Sequence, residues 1–344
     1  MDIQLNSGLL LGVVSGIMLG IFALPQKRIT NWKWENHWAG FTFFSAFLFP
    51  LIVALYTIPS CCQVIQLVPT KVLLQVFLLG SAWGIANIGY GISIQKLGIA
   101  LGIAIVLGIN SVVGTLLPIL IYQPEKLFQP VGFWIELGIL SMIIGIIFTS
   151  FAGNVRLKEQ VRTEDSGDNL TKKSNFLTGV LIAVLTGVMA ASFNFALLAG
   201  KPIEVIAIQY GATQVNASNL TWLIGLSGGC LVTLCYCFIL WKKNKTFHLF
   251  WNNDSVKNCI LTALMGFLWF GGVLLYGTSV GMLGVLGASL GWPIVQSVSI
   301  GSANLIGIFT GEFHGAKRAL KILFAAFLFL VVGIVCIGYA AKIQ

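Results

Sequence analysis

The feature that most constrains this chain is the recurrence of apolar runs about 20 residues long, the length of helix that crosses the hydrocarbon of a bilayer. Ten can be placed, at 5–24, 38–58, 72–95, 97–122, 131–151, 176–199, 220–241, 258–280, 283–310 and 319–341. Hydrocarbon offers backbone groups no partner, so each run has to satisfy its own N–H and C=O groups as a helix. Composition agrees: 57 % of the 344 residues are hydrophobic and 9 % charged, against about a quarter charged in a soluble domain. Mean hydropathy is +0.92. The expected fold class is an all-α integral membrane protein with ten transmembrane helices.

A net charge of +9 would suggest a nucleic-acid partner in a soluble protein, but here the positions of the charges account for it. Taking alternate loops as one side gathers Lys27, Arg28, Lys33, Lys96, Arg156, Lys158, Arg162, Lys172, Lys173, Lys242, Lys243, Lys245, Lys257, Lys317, Arg318 and Lys321. Only Lys71, Lys126, Lys201 and Lys342 fall on the other side. Positive residues accumulate on the cytoplasmic face, which puts both termini outside and the lipid bilayer, not a nucleic acid, around the chain. The start, MDIQLNSG, is acidic where a cleaved leader is basic, so 5–24 reads as a retained span. Trp32, Trp34 and Trp38 read as an aromatic belt at the inner interface.

The chain repeats itself. At an offset of 186 residues, Gly80, Trp83, Tyr90, Gly91, Ser93, Leu97 and Gly98 meet Gly266, Trp269, Tyr276, Gly277, Ser279, Leu283 and Gly284. The same offset carries Asn110 and Ser111 onto Gln296 and Ser297. At an offset of 171, Gly8, Gly12, Gly16 and Gly20 meet Gly179, Ala183, Gly187 and Ala191. The reading is two five-helix repeats, 1–151 and 176–344, joined by a charged cytoplasmic linker at 152–175. An odd number of spans per copy inverts the second, and inverted repeats with a ligand site between them are the construction of many secondary transporters.

Small residues one turn apart let another backbone approach; static packing and a sliding surface would use the same stripe. Trp83, Asn87 and Tyr90 follow i, i+4, i+7 and so share a helix face. Trp269 and Tyr276 repeat the outer pair, with Val273 in the amide's place, and Trp292, Gln296 and Ser299 follow the same spacing beside Pro293. Rings that stack on C–H faces, next to amides and hydroxyls that both donate and accept, suit a neutral polyol. Aromatic packing with interhelical hydrogen bonds is the other reading of the same residues. With Asn110 and Asn194, these form the candidate substrate-binding set. Ionisable residues in spans are functional candidates. Glu136 lies near the outer end of its span, while Glu35 and Glu312 sit at inner helix ends, where capping or a surface ion pair is the ordinary role. Lys201 is expected to snorkel at the outer mouth.

No phosphate-binding GxxxxGK[ST] and no H-E-x-x-H occurs, and G-x-S-x-G falls only in or at the end of apolar runs read as helices (225–229, 277–281 and 287–291), not on the strand-to-helix turn that a nucleophile needs, so an ATP-driven pump or a membrane enzyme is not expected. Seven cysteines show no paired metal spacing and His37, His248 and His314 are scattered, so neither metal nor cofactor is expected. A disulfide at Cys61 or Cys62 stays open.

KRITNWKWENHW (27–38), GSAWGIANIGYGISIQKLGIALGIAI (80–105), GNVRLKEQ (153–160) and GVLIAVLTGVMAASFNFALLAGKPI (179–203) resemble the matching stretches of bacterial L-rhamnose/proton symporters, a branch of the drug/metabolite transporter superfamily. GFLWF and GEFHGAKR carry the likeness into the second half. The resemblance implies a ten-helix carrier of the bacterial inner membrane that imports a methylpentose with a proton. It marks Trp83, Gly84, Asn87, Tyr90 and Gly91 as the core of the motif, with Glu35, Lys201 and Glu312 in family-like positions. The expected function is therefore proton-coupled import of L-rhamnose or a related 6-deoxyhexose by alternating access. The partners are the sugar and the proton, and a homodimer is left open. An exporter of the same superfamily and a non-transporting sugar sensor are the alternatives.

Overall fold

A helix meets each of the ten expected runs in the computed structural model, which describes residues 2–122, 130–161, 169–283 and 292–343. In chain order the helices are α1 (Asp2–Ile21), α2 (Trp34–Phe43), α3 (Phe49–Thr57), α4 (Cys61–Leu67), α5 (Thr70–Leu97), α6 (Ile99–Tyr122) and α7 (Pro130–Val161). There follow α8 (Asn169–Ala190), α9 (Ser192–Ala199), α10 (Lys201–Gln209), α11 (Asn219–Asn244), α12 (Ser255–Leu283), α13 (Trp292–Phe309) and α14 (Lys317–Ile343). Among the described residues there is no strand, and eight segments are long and apolar enough to cross a membrane. The expected fourth and ninth spans enter as the shorter apolar stretches Ile99–Val113 and Val298–Phe309. At most half of the most apolar window of any of the eight is buried, so lipid has to cover the exposed Leu140, Ile147, Leu181 and Phe267.

Local chemistry explains where these helices bend. Pro50 has no N–H to give to the preceding turn, and Phe44–Leu48 widens into a π-helical turn that absorbs it between α2 and α3. Gly200 and Pro202 divide the sixth run, which continues to Gln209 as α10 instead of ending at 199. Lys201 is thus in a helix, exposed and paired with Glu204 at 2.8 Å. The expected linker is also largely helical: 152–161 prolong α7 and 169–175 open α8, while 162–168 lie outside the described residues.

The chain forms two compact units. The first comprises Met1–Ile21, Gly89–Val188 and Leu274–Gln344, the second Phe22–Ile88 and Met189–Val273, so each draws on both halves of the sequence. Membership changes inside α5 at Ile88/Gly89 and inside α12 at Val273/Leu274, 185 residues apart.

In the first unit α7 lies along α14, around a core that includes Leu101, Ile105, Met142, Ile300 and Leu330. Gly8, Gly12, Gly16 and Gly20 are all buried, and α1 uses that stripe to approach α13. A Cβ on Gly16 would meet Val298 Cβ at 2.6 Å, and one on Gly20 would meet Ser302 Cβ at 2.7 Å. Gly187 of α8 approaches α6 in the same manner, with Ile109 Cβ at 2.5 Å.

In the second unit α11 packs on α2 and α3. Gly80 and Gly84 of α5 face Gly225 and Gly229 of α11 backbone to backbone; a Cβ on Gly84 would lie 2.6 Å from Gly229 O. This crossing, one turn of small residues against another, is what the glycines of GSAWGIANIGYG serve. Trp34 and Trp38 are buried, with rings stacked at 5.8 Å, so they belong to this unit's core and not to an interfacial belt. Trp32 rests on Phe250, ring centroids 5.0 Å apart. Cys61 and Cys62 are both free, the first buried and the second exposed.

Candidate functional site

Each unit holds its own share of the expected binding residues. In the second unit Trp83 meets Trp269, its partner in the sequence repeat, with ring centroids 5.5 Å apart. Phe193 stands edge-on to Trp83 at 5.6 Å and stacks on Trp222 at 4.8 Å. These four rings form an aromatic cluster beside Ala46, Leu226 and Phe270. Asn87, one turn beyond Trp83, is buried, and its amide donates to Thr42 Oγ1 at 3.1 Å and Thr233 Oγ1 at 3.2 Å. Thr233 in turn donates to the carbonyls of Gly229 (2.9 Å) and Gly84 (3.3 Å). An amide in an apolar setting has to find such partners, and these join α5 to α2 and α11. Asn194, on α9, is exposed.

In the first unit Gln296 Nε2 donates to Ser111 Oγ at 2.7 Å, tying α13 to α6 through positions the repeat relates to Asn110 and Ser297. Asn110 Oδ1, Ser299 Oγ and Asn304 Oδ1 are buried and make no hydrogen bond among the described residues. Buried polar atoms are nearly always satisfied, so this hydrogen-bonding capacity is what a hydroxylated ligand can take up. Asn304 was not among the sequence candidates; it lies i+8 from Gln296, a helical repeat that places both on one side of α13. Tyr90 packs on the core of this unit, and Tyr276 is half-buried. Trp292 belongs to α13, but its side chain lies outside the described residues.

The three carboxylate candidates have different surroundings. Glu136 is exposed on α7. Glu312 is a cap: Oε1 accepts from Ile99 N at 2.9 Å and Oε2 from Ala100 N at 3.3 Å, two of the orphan donors that open α6. Gly98, at φ +87°, makes the turn into α6 and leaves room for that carboxylate. Arg156, expected in a solvated linker, is instead buried; it donates to the last carbonyl of α5, Leu97 O, at 3.2 Å and lies 5.4 Å from the Phe313 ring centroid. Glu159 likewise reaches the first turn of α14, accepting from Ala319 N at 3.3 Å.

Glu35 is no surface ion pair. It is buried in the second unit, and its Oε1 accepts from Thr246 Oγ1 at 2.7 Å and Asn244 Nδ2 at 3.0 Å. Asn36 beside it donates to Thr246 O at 3.2 Å, which fixes the strand of chain leaving α11. Among the described residues no group of three His, Cys, Asp or Glu could hold a metal ion. An open depression of about 380 Å³ at the α3–α4 corner, lined by Tyr56, Pro59, Ser60 and Gln63 among others, contains none of the expected residues.

Among the described residues, the spans of this multi-pass helical chain carry buried amides, hydroxyls and a carboxylate held by side chains, the groups with which a membrane transport protein meets a polar solute. Residues 1–343 match the L-rhamnose-proton symport protein (RhaT) family, and the chain belongs to that family, which is one of symporters and not of enzymes. An L-rhamnose-proton symporter of Klebsiella pneumoniae (strain 342) is 28 % identical over 326 residues, 92 % of each chain. One of Mannheimia succiniciproducens is 26 % identical over 346 residues, covering 97 % of this chain and 98 % of the other. One of Yersinia pestis (strain Pestoides F) is 28 % identical over 351 residues, covering 98 % and 100 %. No solved structure matches the chain.

Proposed function

We propose that this protein imports L-rhamnose, or a related 6-deoxyhexose, together with a proton across the bacterial inner membrane by alternating access. The observation that carries the reading is similarity to L-rhamnose-proton symporters over nearly the full length of both chains. One charge crossing 100 mV supplies about 2.3 kcal/mol, enough to drive a neutral sugar uphill.

The proposed architecture is ten spans in two inverted five-span repeats, 1–151 and 176–344, of the drug/metabolite transporter superfamily, with both termini outside. Paired contacts support it. The first run meets the ninth through Gly16 as the sixth meets the fourth through Gly187, and the third meets the seventh through Gly84 as the eighth meets the second through Gly266. The proposed sugar contacts are Trp83, Asn87, Tyr90, Asn110, Asn194, Trp269, Tyr276, Trp292, Gln296 and Ser299.

Uptake of labelled L-rhamnose into proteoliposomes tests this. An inward proton gradient should drive accumulation, a protonophore should abolish it, and sodium should have no effect. Binding without movement would make the protein a sensor, and sodium-driven uptake would replace the coupling ion.

A further inference from the structure

We propose that Glu35 is the group that carries the coupling proton, an assignment that rests on the symport reading above. A coupling carboxyl has to exist both charged and neutral without dismantling the fold. Glu312 fails this test: it accepts from the backbone N–H groups of Ile99 and Ala100, which can only donate, and the buried Arg156 guanidinium attracts its charge, so a proton on Glu312 faces donors, leaves that cation without its counter-charge and uncaps α6. Glu136 is exposed, so nothing in the fold registers its charge.

Glu35 meets both conditions. It is buried; both of its side-chain donors end on Oε1 and its own backbone N–H also donates to the carboxylate, so two of its three partners are side chains that can rearrange when a proton is taken from water and returned to water on the other side. The Thr246 hydroxyl is donor and acceptor alike; by rotating about its C–O bond it can answer either state of the carboxyl. Its titratable neighbours are His37 on α2 and Cys237 on α11, with Lys33 before α2 and Lys242, Lys243 and Lys245 at the end of α11. None of those lysines forms an ion pair with Glu35 among the described residues, and Lys242 instead lies 4.5 Å from the Phe238 ring centroid.

The same two helices connect Glu35 to the polar centre of its unit. Thr42, which accepts from Asn87, is seven residues further along α2, two turns or about 10 Å. Thr233, the other acceptor, is on α11, the helix that ends in Asn244. A change in the hydrogen bonds of Asn87 is therefore felt along the α2–α11 seam that holds the carboxyl. The π-helical turn at Phe44–Leu48, just beyond Thr42, gives α2 a place to adjust.

The test uses the full chain, purified and reconstituted, with labelled L-rhamnose as probe. Per proton, one pH unit drives about tenfold accumulation. Wild type should show it, whereas Glu35→Gln, whose amide oxygen can still accept from Thr246 and Asn244, should equilibrate the sugar and exchange it in counterflow without accumulation. A Glu35→Gln protein that accumulates sugar as wild type does overturns the assignment and leaves symport standing; a wild type with no proton-driven uptake takes both down. If Glu35→Gln yields no folded protein, infrared difference spectra decide. The sugar-induced band of a protonated carboxyl in wild type should move in Glu35→Asp, and a band that stays in place rejects Glu35.

Discussion

In the first unit Glu312 and Glu159 accept from backbone amides at the starts of α6 and α14, while in the second unit Glu35 accepts from a threonine hydroxyl and an asparagine amide. Both units pack their helices through glycine, so the difference lies in the polar groups and not in the scaffold. A carboxylate bonded to helix amides is tied to one charge state, because the helix end needs the acceptor. A carboxylate bonded to side chains keeps the freedom to change. The first arrangement builds a joint; the second can build a switch.

The shared scaffold is the part whose failure costs most. Gly84 of the second unit meets the backbone of Gly229, which cannot yield, whereas Gly301 of the first unit meets only the rim of the Phe327 ring, at 3.2 Å. Overpacking a core costs about 1–3 kcal/mol and occasionally more. Gly84→Ala should sit at or beyond the top of that range and Gly301→Ala nearer the bottom, read as loss of thermal stability in detergent. Equal losses would mean that the two crossings are equally rigid.

Next in size is the joint itself. Glu312→Gln keeps one acceptor for the two amides of Ile99 and Ala100 and loses the charge that favours a helix start. A cap of this kind contributes about 1 kcal/mol. The variant should melt earlier by that amount yet accumulate sugar with an unchanged dependence on the proton gradient. A lost dependence would move Glu312 from joint to switch and erase the contrast between the units.

A smaller effect is expected in the link between Asn87 and its threonines. Interhelical hydrogen bonds in membranes average about 0.6 kcal/mol by double-mutant cycle. Asn87→Ala combined with Thr42→Val should show a coupling of that order in thermal unfolding. A coupling near zero would detach Asn87 from the seam that leads to Glu35.

How much of this could be read from the sequence depended on distance along the chain. Helices follow from a local demand, the satisfaction of backbone groups in hydrocarbon, and the apolar runs express it directly. The Gly8–Gly20 stripe was legible for the same reason, being periodic within one helix, but its partner α13 was not. The spacing of Trp83, Asn87 and Tyr90 showed a shared face; it could not show that Asn87 is bound by Thr42 and Thr233, 45 and 146 residues away. Nor could it tell Glu35 from Glu312. Both stand at helix ends in the sequence, and only the fold gives one a pair of side chains and the other the start of a different helix. Arg156 looked solvated because its neighbours are charged; the turn at Gly98 and the Phe313 ring bury it.

The finest test of the contrast uses Asp254, a carboxylate with nearly the same donors as Glu35 but in water. It accepts from Thr30 Oγ1 at 2.8 Å and Asn31 Nδ2 at 2.6 Å, and both groups are exposed. Those bonds, with a smaller contribution from Lys257, hold its pKa below the usual aspartate value. A depressed folded-state value means that the bonds stabilise the fold above the unfolded-state value and stop doing so as pH falls through the folded one. Wild type and Asp254→Asn should therefore differ slightly in thermal stability at neutral pH and converge in acid, while sugar accumulation stays the same in both. If accumulation fell in Asp254→Asn, hydroxyl and amide donors would couple a carboxylate to transport even in solvent, and burial would not be what sets Glu35 apart.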